Sequence, residues 1–390
     1  MATRVERAPR EHAPAEVGAF LRHLDYLLLA AVGGIIAYGL WVLGAVTEND
    51  VVGEPGYYLL RQEVYAAVGA VVLAVVTAVN PERYRRYGRP LYGAALVLLV
   101  FVLAAGDEVR GAQRWIEFGS FRLQPSELGK VILIVFLAGF LAARVRRLGE
   151  WRTTFAAVGL AVPPTLLVFQ EPDFGTALLY VGVVAGALFF AGTRWLHLGV
   201  LAAVAAALSL GLLWFLPAAG VQVLEPYQVD RLVGFVNPDV DPRGTTYNVN
   251  QSITAVGSGG LDGRGVAGAT QTNLNYLPEH STDFIFSSLA EQRGFFGAAI
   301  LLGLYVLIVW RGVKIVALAP SVFQATIAGT IVFVLLLQVF VNIGMTIGVA
   351  PITGIPLPFV SFGGSSLITT MMMIGLLEAI HVRGRLAGRR

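Results

Sequence analysis

Residues 25–46 read DYLLLAAVGGIIAYGLWVLGAV, an apolar run whose one charge stands at its first position. At about 1.5 Å per residue it is long enough to cross a hydrocarbon core of about 30 Å. It follows Arg4, Arg7, Arg10 and Arg22, as the apolar part of a signal peptide would, but it is longer than such a segment, and further runs like it come after. It is therefore read as an uncleaved first membrane helix. Equivalent runs recur near 63–79, 91–106, 127–143, 154–170, 174–192, 195–216, 284–310, 321–348 and 363–381. Ten spans result, and the expected fold class is an all-α integral membrane protein with a long loop between helices 7 and 8. The expected organisation is a segment 1–24, one ten-helix membrane domain 25–381 with a large loop 217–283, and a basic tail 382–390.

Composition agrees with that reading. A chain of 390 residues with 56% hydrophobic and 14% charged residues, and a mean hydropathy of +0.70, carries more apolar surface than a soluble domain could bury. No cysteine is present, which excludes disulfides, thiolate metal sites and cysteine nucleophiles.

Charge sets the orientation. Arginines gather at the N-terminus, at Arg83, Arg85, Arg86 and Arg89, at Arg144, Arg146, Arg147 and Arg152, and in the tail at Arg383, Arg385, Arg389 and Arg390. Arg194, Arg311 and Lys314 add to the same set of connections. The alternate connections carry Glu48, Asp50 and Glu54, then Asp107 and Glu108, Glu171 and Asp173, and Glu225, Asp230, Asp239 and Asp241. The positive-inside rule places both termini in the cytoplasm. The pI near 9.2 is then a topology signal and gives no reason to expect a nucleic-acid partner.

With that orientation, residues 111–130, 169–176, 217–283 and 351–366 all open on the outer face. The segment NVNQSITAVGSGGLDGRGVAGATQTNLNYLPEHSTDFIFSSLAEQRGFFG (248–297) is the longest polar interruption between apolar runs. Polar loops held by a rigid scaffold are where chemistry is placed. Lys130 is one of two lysines in a chain that otherwise uses arginine, and it lies about a turn inside a span, three positions after Glu127. It reads either as a packing partner of Glu127 or as an anion clamp beside a catalytic carboxylate. Ser126 suits the N-cap of that span, and Asp173 suits the N-cap of span six. Asp283 precedes Phe284, Ile285 and Phe286, so it reads either as a helix cap or as a carboxylate at the water–lipid boundary able to act as a general base. Glu279 shares or tunes that site. His280 reads as a solvated loop histidine. The glycines between Gly257 and Gly265 lie in no nucleotide-binding pattern and read as loop glycines.

GAQRWI (111–116), QPSELGK (124–130), QEPDFGTALL (170–179), GSGGL (257–261), NYLPEHSTDFIF (275–286) and NIGMTIGVAPITGIPLPFVSFGGSS (342–366) together resemble the shape, elongation, division and sporulation (SEDS) family, closer to its elongation than to its division members. The resemblance runs from the first span to the tenth. It implies a peptidoglycan glycosyltransferase that polymerises lipid II at the outer face of the bacterial cytoplasmic membrane beside a class B penicillin-binding protein. It implies that Asp283 is the catalytic aspartate and Lys130 a functionally important lysine. Arg114, Ser126, Glu127, Asp173 and Glu279 are expected to contact substrate. The family's histidine two positions before the aspartate is Ser281 here, so no role for a histidine is carried over. A divalent cation, Mg or Mn, is an expectation without a ligand set, and no organic cofactor is expected. Docking of the penicillin-binding protein's single span is expected on Gly303, Leu304 and Ala328. Two readings of other classes remain beside this one: a lipid II flippase, disfavoured by the lack of strong charge in the inner halves of the spans, and a scaffold.

Overall fold

The computed structural model describes residues 21–48, 50–51, 53–109, 112–119, 121–211, 215 and 246–387. Arg4, Arg7 and Arg10, the acidic residues Glu225, Asp230, Asp239 and Asp241, and Arg389 and Arg390 lie outside the described residues.

The chain is helical and multi-pass. Its elements are α1 (Tyr26–Val46), α2 (Tyr57–Ala78), α3 (Pro81–Ala105), β1 (Asp107–Val109), β2 (Ala112–Phe118), β3 (Phe121–Leu123), α4 (Pro125–Ala142), α5 (Trp151–Gln170), α6 (Phe174–Ala191), α7 (Trp195–Leu210), α8 (Tyr247–Gly259), α9 (Gly265–Gly268), α10 (Thr270–Asn273), α11 (Ile285–Leu318), α12 (Val322–Thr346) and α13 (Gly364–Ala387). Among the described residues nine helices are long and apolar enough to cross a membrane, and α7 is a shorter apolar helix in the place of the seventh expected span.

Boundaries move where capping chemistry overrides the apolar pattern. The third span begins at Pro81, ten positions before the apolar run, because Asn80 accepts the Glu82 N–H at 3.1 Å and Pro81 occupies the first turn. Arg83, Arg85, Arg86 and Arg89 are therefore on a helix and not in a connection. Residues 107–123, read as loop, form a small antiparallel sheet in the order β1-β2-β3. Part of the long loop is also ordered as α8, α9 and α10.

The core is made by α4, α6, α12 and α13, whose apolar windows are mostly buried, while α2 and α3 turn most of theirs outward. α13 packs along α2, α12 along α6, α4 against α3, and α11 against α1, α8 and α12. Ala328 is fully buried in that core. It cannot belong to a surface for a partner's span, which corrects the expected docking set. Leu304 approaches Gly34 of α1 instead.

Of the glycines in the long loop, Gly259 and Gly263 are packing residues, while Gly257, Gly260 and Gly265 have open space where a Cβ would be. Gly263 (φ +83°) and Gly294 (φ +63°) lie face to face, and a Cβ on either would strike backbone of the other segment. Gly294 is the one non-helical residue inside α11, so the helix is broken where the loop crosses it. Glu291 of α11 accepts hydrogen bonds from Gln271 N, Thr272 N and Thr272 Oγ1 at 2.7–3.0 Å, which ties α10 to the same stretch.

Charge inside the spans is not confined to one end. Asp25, before α1, takes a bidentate contact from Arg311 of α11, and its N–H donates to Glu378 of α13 at 3.0 Å. Asp25, Glu378 and His381 are all buried. The expected absence of charge in the inner halves of the spans is therefore wrong, and it no longer weighs against a transport reading.

Candidate active site

A cavity of about 510 Å³ opens at the sheet end of the bundle. Arg114 and Trp115 of β2, Glu127 of α4, Asp173 before α6, Glu279 and Asp283 before α11, and Thr353 and Gly354 contribute to its wall. Four expected site carboxylates and the expected arginine thus meet in one place. Each is there for a local reason.

Asp283 lies in a turn, and the N-cap position of α11 is Phe284, with no side-chain capping bond. Asp283 therefore stands one position before the N-cap residue. The turn is held by Glu279, which adopts φ +55° and whose carbonyl accepts the N–H groups of Thr282 and Phe284 at 3.1 Å. A non-glycine residue in that region costs about 1–3 kcal/mol unless its surroundings fix it. Asn342 Nδ2 donates to Asp283 O at 2.9 Å and to Ile355 O at 2.8 Å. Ser361 Oγ donates to Thr282 O at 2.6 Å, and Phe362 N to Ser281 O at 2.9 Å. The backbone on both sides of Asp283 is thus clamped by α12 and by the 351–366 segment, which holds the carboxylate at the cavity wall. Asn342 and Ser361 were not among the expected site residues, because their partners are backbone carbonyls tens of residues away.

Lys130 does not line the cavity. It is fully buried, with Nζ 3.2 and 3.1 Å from the two carboxylate oxygens of Glu127. The ammonium stands behind Glu127, so any action on substrate passes through that carboxylate. Ser126 is not the N-cap of α4; that position is Gln124, because Pro125 fills the first helical position. Ser126 is fully buried and does not line the cavity, which removes it from the expected substrate contacts; its carbonyl accepts from Tyr180 Oη at 2.8 Å.

Asp173 does cap α6. It accepts from Thr176 N at 2.9 Å and from Thr176 Oγ1 and Gln124 Nε2 at 2.8 Å, with Arg114 at 3.9 Å. Next to it Glu171 is fully buried, and among the described residues neither of its carboxyl oxygens has a hydrogen-bond partner. Burial pushes the Glu171 pKa up to about 8, Asp173 adds to the rise, and Arg114 opposes it. His280 is not a solvated loop residue. It is buried between the Leu277 carbonyl at 3.1 Å and the Asp50 carboxylate at 3.0 Å, and so anchors the turn that carries Asp283. Burial pulls its pKa down, but the Asp50 hydrogen bond and charge outweigh this and leave it above the usual value.

Among the described residues no three His, Cys, Asp or Glu side chains gather as a metal site. Three of the four cavity carboxylates hold partners of their own: Glu127 takes Lys130, Asp173 takes Thr176 and Gln124, and Glu279 takes Thr282 at 2.9 Å. Among the described residues these three carboxylates therefore present no ready ligand set for a divalent cation.

The wall as a whole offers one carboxylate on a rigid turn for taking up a proton, with a guanidinium close by for developing negative charge. Known proteins share this framework. The chain is 37% identical over 367 residues to Escherichia coli K12 peptidoglycan glycosyltransferase MrdB, covering 94% of this chain and 96% of that one. It is 34% identical to Bacillus subtilis stage V sporulation protein E over 90% and 93% of the two chains. A chain of a peptidoglycan synthase complex, solved for the structural coordination of polymerization and crosslinking, superposes with a TM-score of 0.78 at 32% identity over 93% of this chain and 98% of that one. The Thermus thermophilus rod shape determining protein RodA superposes at 0.66 and 29% identity over 92% and 96%. The model of the FtsW, RodA and SpoVE family, described as cell cycle proteins, matches residues 23–386, and the chain belongs to that family.

Proposed function

We propose that this protein is a peptidoglycan glycosyltransferase that polymerises lipid II during cell elongation, acting at the outer face of the bacterial cytoplasmic membrane with both termini in the cytoplasm. The observation that carries the reading is Asp283, a carboxylate at the wall of a polar cavity whose flanking carbonyls are fixed by Asn342 and Ser361. A capping residue has no need of that support; a base that must meet a hydroxyl in one geometry does.

In this reaction the 4-hydroxyl of an incoming GlcNAc attacks the anomeric carbon of a glycan linked to undecaprenyl pyrophosphate. The C1–O4 bond forms with inversion, the bond from C1 to the pyrophosphate oxygen breaks with its electron pair, and the hydroxyl proton passes to Asp283. Arg114 lies where it would meet the charge that develops on the leaving group. Glu127, held by Lys130, and Asp173, held by Gln124 and Thr176, offer fixed acceptors for sugar hydroxyls. The partner we propose is a class B penicillin-binding protein, since a chain of similar fold comes from a synthase complex in which polymerization is coordinated with crosslinking.

Purified protein in liposomes containing lipid II distinguishes this from the transport reading. Polymer on a gel is the expected result. Transfer of lipid II between leaflets with no polymer would replace the enzyme assignment with a flippase.

A further inference from the structure

A second cavity of about 470 Å³ adjoins the first and shares Arg114, Trp115, Glu279 and Thr282 with it. Its charge is the reverse. The first cavity sets Glu127, Asp173, Glu279 and Asp283 against Arg114; the second sets Arg61, Arg114 and Arg122 against Glu117 and Glu279. Its wall adds Tyr57, Tyr58 and Tyr65 from the first turns of α2, and Phe362, which lines both cavities.

The arginines are placed to receive an anion. The Arg61 guanidinium carbon lies over the Tyr57 ring, 4.2 Å from its centroid, so the charge is held at the aromatic wall. Arg122 is more than half exposed and meets Glu117 at 2.7 Å across the β2–β3 hairpin. Arg114 stands at the junction of the two cavities, and its Nε is buried with no hydrogen-bond partner among the described residues. A buried guanidinium N–H left open is costly unless something occupies it. The aromatic wall is braced by edge contacts of Tyr58 with Phe362 at 4.9 Å and Tyr65 with Phe121 at 5.8 Å.

Electrostatics divides the two substrates between the cavities. A pyrophosphate diester carries about two negative charges, and placing it among four carboxylates with one guanidinium would be repulsive. A neutral sugar hydroxyl needs the carboxylate and has no need of the arginines. Resting on the glycosyltransferase reading above, we infer that the Arg61–Arg114–Arg122 cavity is the subsite for the pyrophosphate of the departing polyprenyl carrier, and that the Asp283 cavity receives the acceptor sugar. The scissile bond then lies at the junction by Arg114, where the attacking oxygen comes from one cavity and the pyrophosphate leaves into the other.

The test uses undecaprenyl pyrophosphate as the probe, titrated against the purified full chain in detergent with EDTA present. Arg61→Gln/Arg122→Gln should weaken binding by about tenfold or more, while Asp283→Asn keeps it within about twofold. Undecaprenyl monophosphate should lose less than the pyrophosphate does in the double variant. Both arginines reach solvent, and co-elution with wild type on size exclusion confirms that the variant is folded. Unchanged affinity in the arginine variant overturns the subsite. So does binding that needs a divalent cation and is lost in Asp283→Asn, which would put the pyrophosphate among the carboxylates. The probe carries no sugar and undergoes no turnover, so failure here leaves the polymerase reading standing. A wild type that binds the probe yet makes no polymer sinks that reading alone.

Discussion

Replacing Lys130 with Met separates a wall residue from a substrate contact. Its ammonium lies 3.1–3.2 Å from both oxygens of Glu127, and the two side chains are 0% and 3% exposed. At that distance the pair interacts by about 5 kcal/mol at an effective dielectric of about 20, before either charge's desolvation is counted. Removing one member of a buried pair typically costs about 3–5 kcal/mol, because the other charge is left behind. Removing both, as in Glu127→Gln/Lys130→Met, should recover most of that loss. A double-mutant cycle on thermal or denaturant unfolding of the purified protein should therefore give a coupling of about 2–3 kcal/mol. Polymerisation should be low in Lys130→Met and should stay low in the double variant, since Glu127 is the member that reaches the cavity. A coupling under about 0.5 kcal/mol would refute the buried pair. Full activity in a stable Lys130→Met would show that neither Lys130 nor its hold on Glu127 matters to the reaction.

Three further outcomes follow from the same geometry. Glu171 is protonated in the fold up to a pKa of about 8, whereas the unfolded carboxyl ionises near 4.5, so its contribution to stability declines as pH rises between those values and levels off above them. Ionisation beside Arg114 also weakens the cavity for anions; the pH–rate profile should fall above about 8 in wild type, and Glu171→Gln should retain activity and lose that limb. Asn342→Ala leaves two carbonyls without a donor, at about 1–3 kcal/mol each, and should lower kcat more than it raises KM if its work is to hold Asp283. A tag near Asp239 should react with a membrane-impermeant reagent while one near Arg85 does not; the reverse pattern would invert the orientation.

The spans were legible because twenty apolar residues in a row have few other uses, and the cavity was legible as a convergence of polar segments between them. Details set by tertiary contact were not. Arg83 to Arg89 look like a connection, yet Asn80 and Pro81 start a helix before them. The 107–123 sheet carries no strict alternation to announce it. The i,i+3 spacing gave the Glu127–Lys130 pair, but which of the two faces the cavity depends on how α4 turns against its neighbours. Asp173 showed its capping role in sequence, whereas Asp283 looked equally like a cap until the N-cap position fell on Phe284. Glu171, His280 and Glu378 take their character from burial and from partners as distant in the chain as Asp50 and Asp25, which no local pattern encodes.

The central claim is that Asp283 is the base. Asp283→Asn keeps the size and the backbone that Asn342 and Ser361 hold, and removes only the ability to take a proton. The decisive measurement is the rate of glycan polymer formation from lipid II by purified wild type and Asp283→Asn, with thermal unfolding of both recorded on the same preparations. The account predicts a rate at least about 10²-fold lower with an unfolding temperature close to wild type. Polymerisation by Asp283→Asn at a near wild-type rate would contradict it.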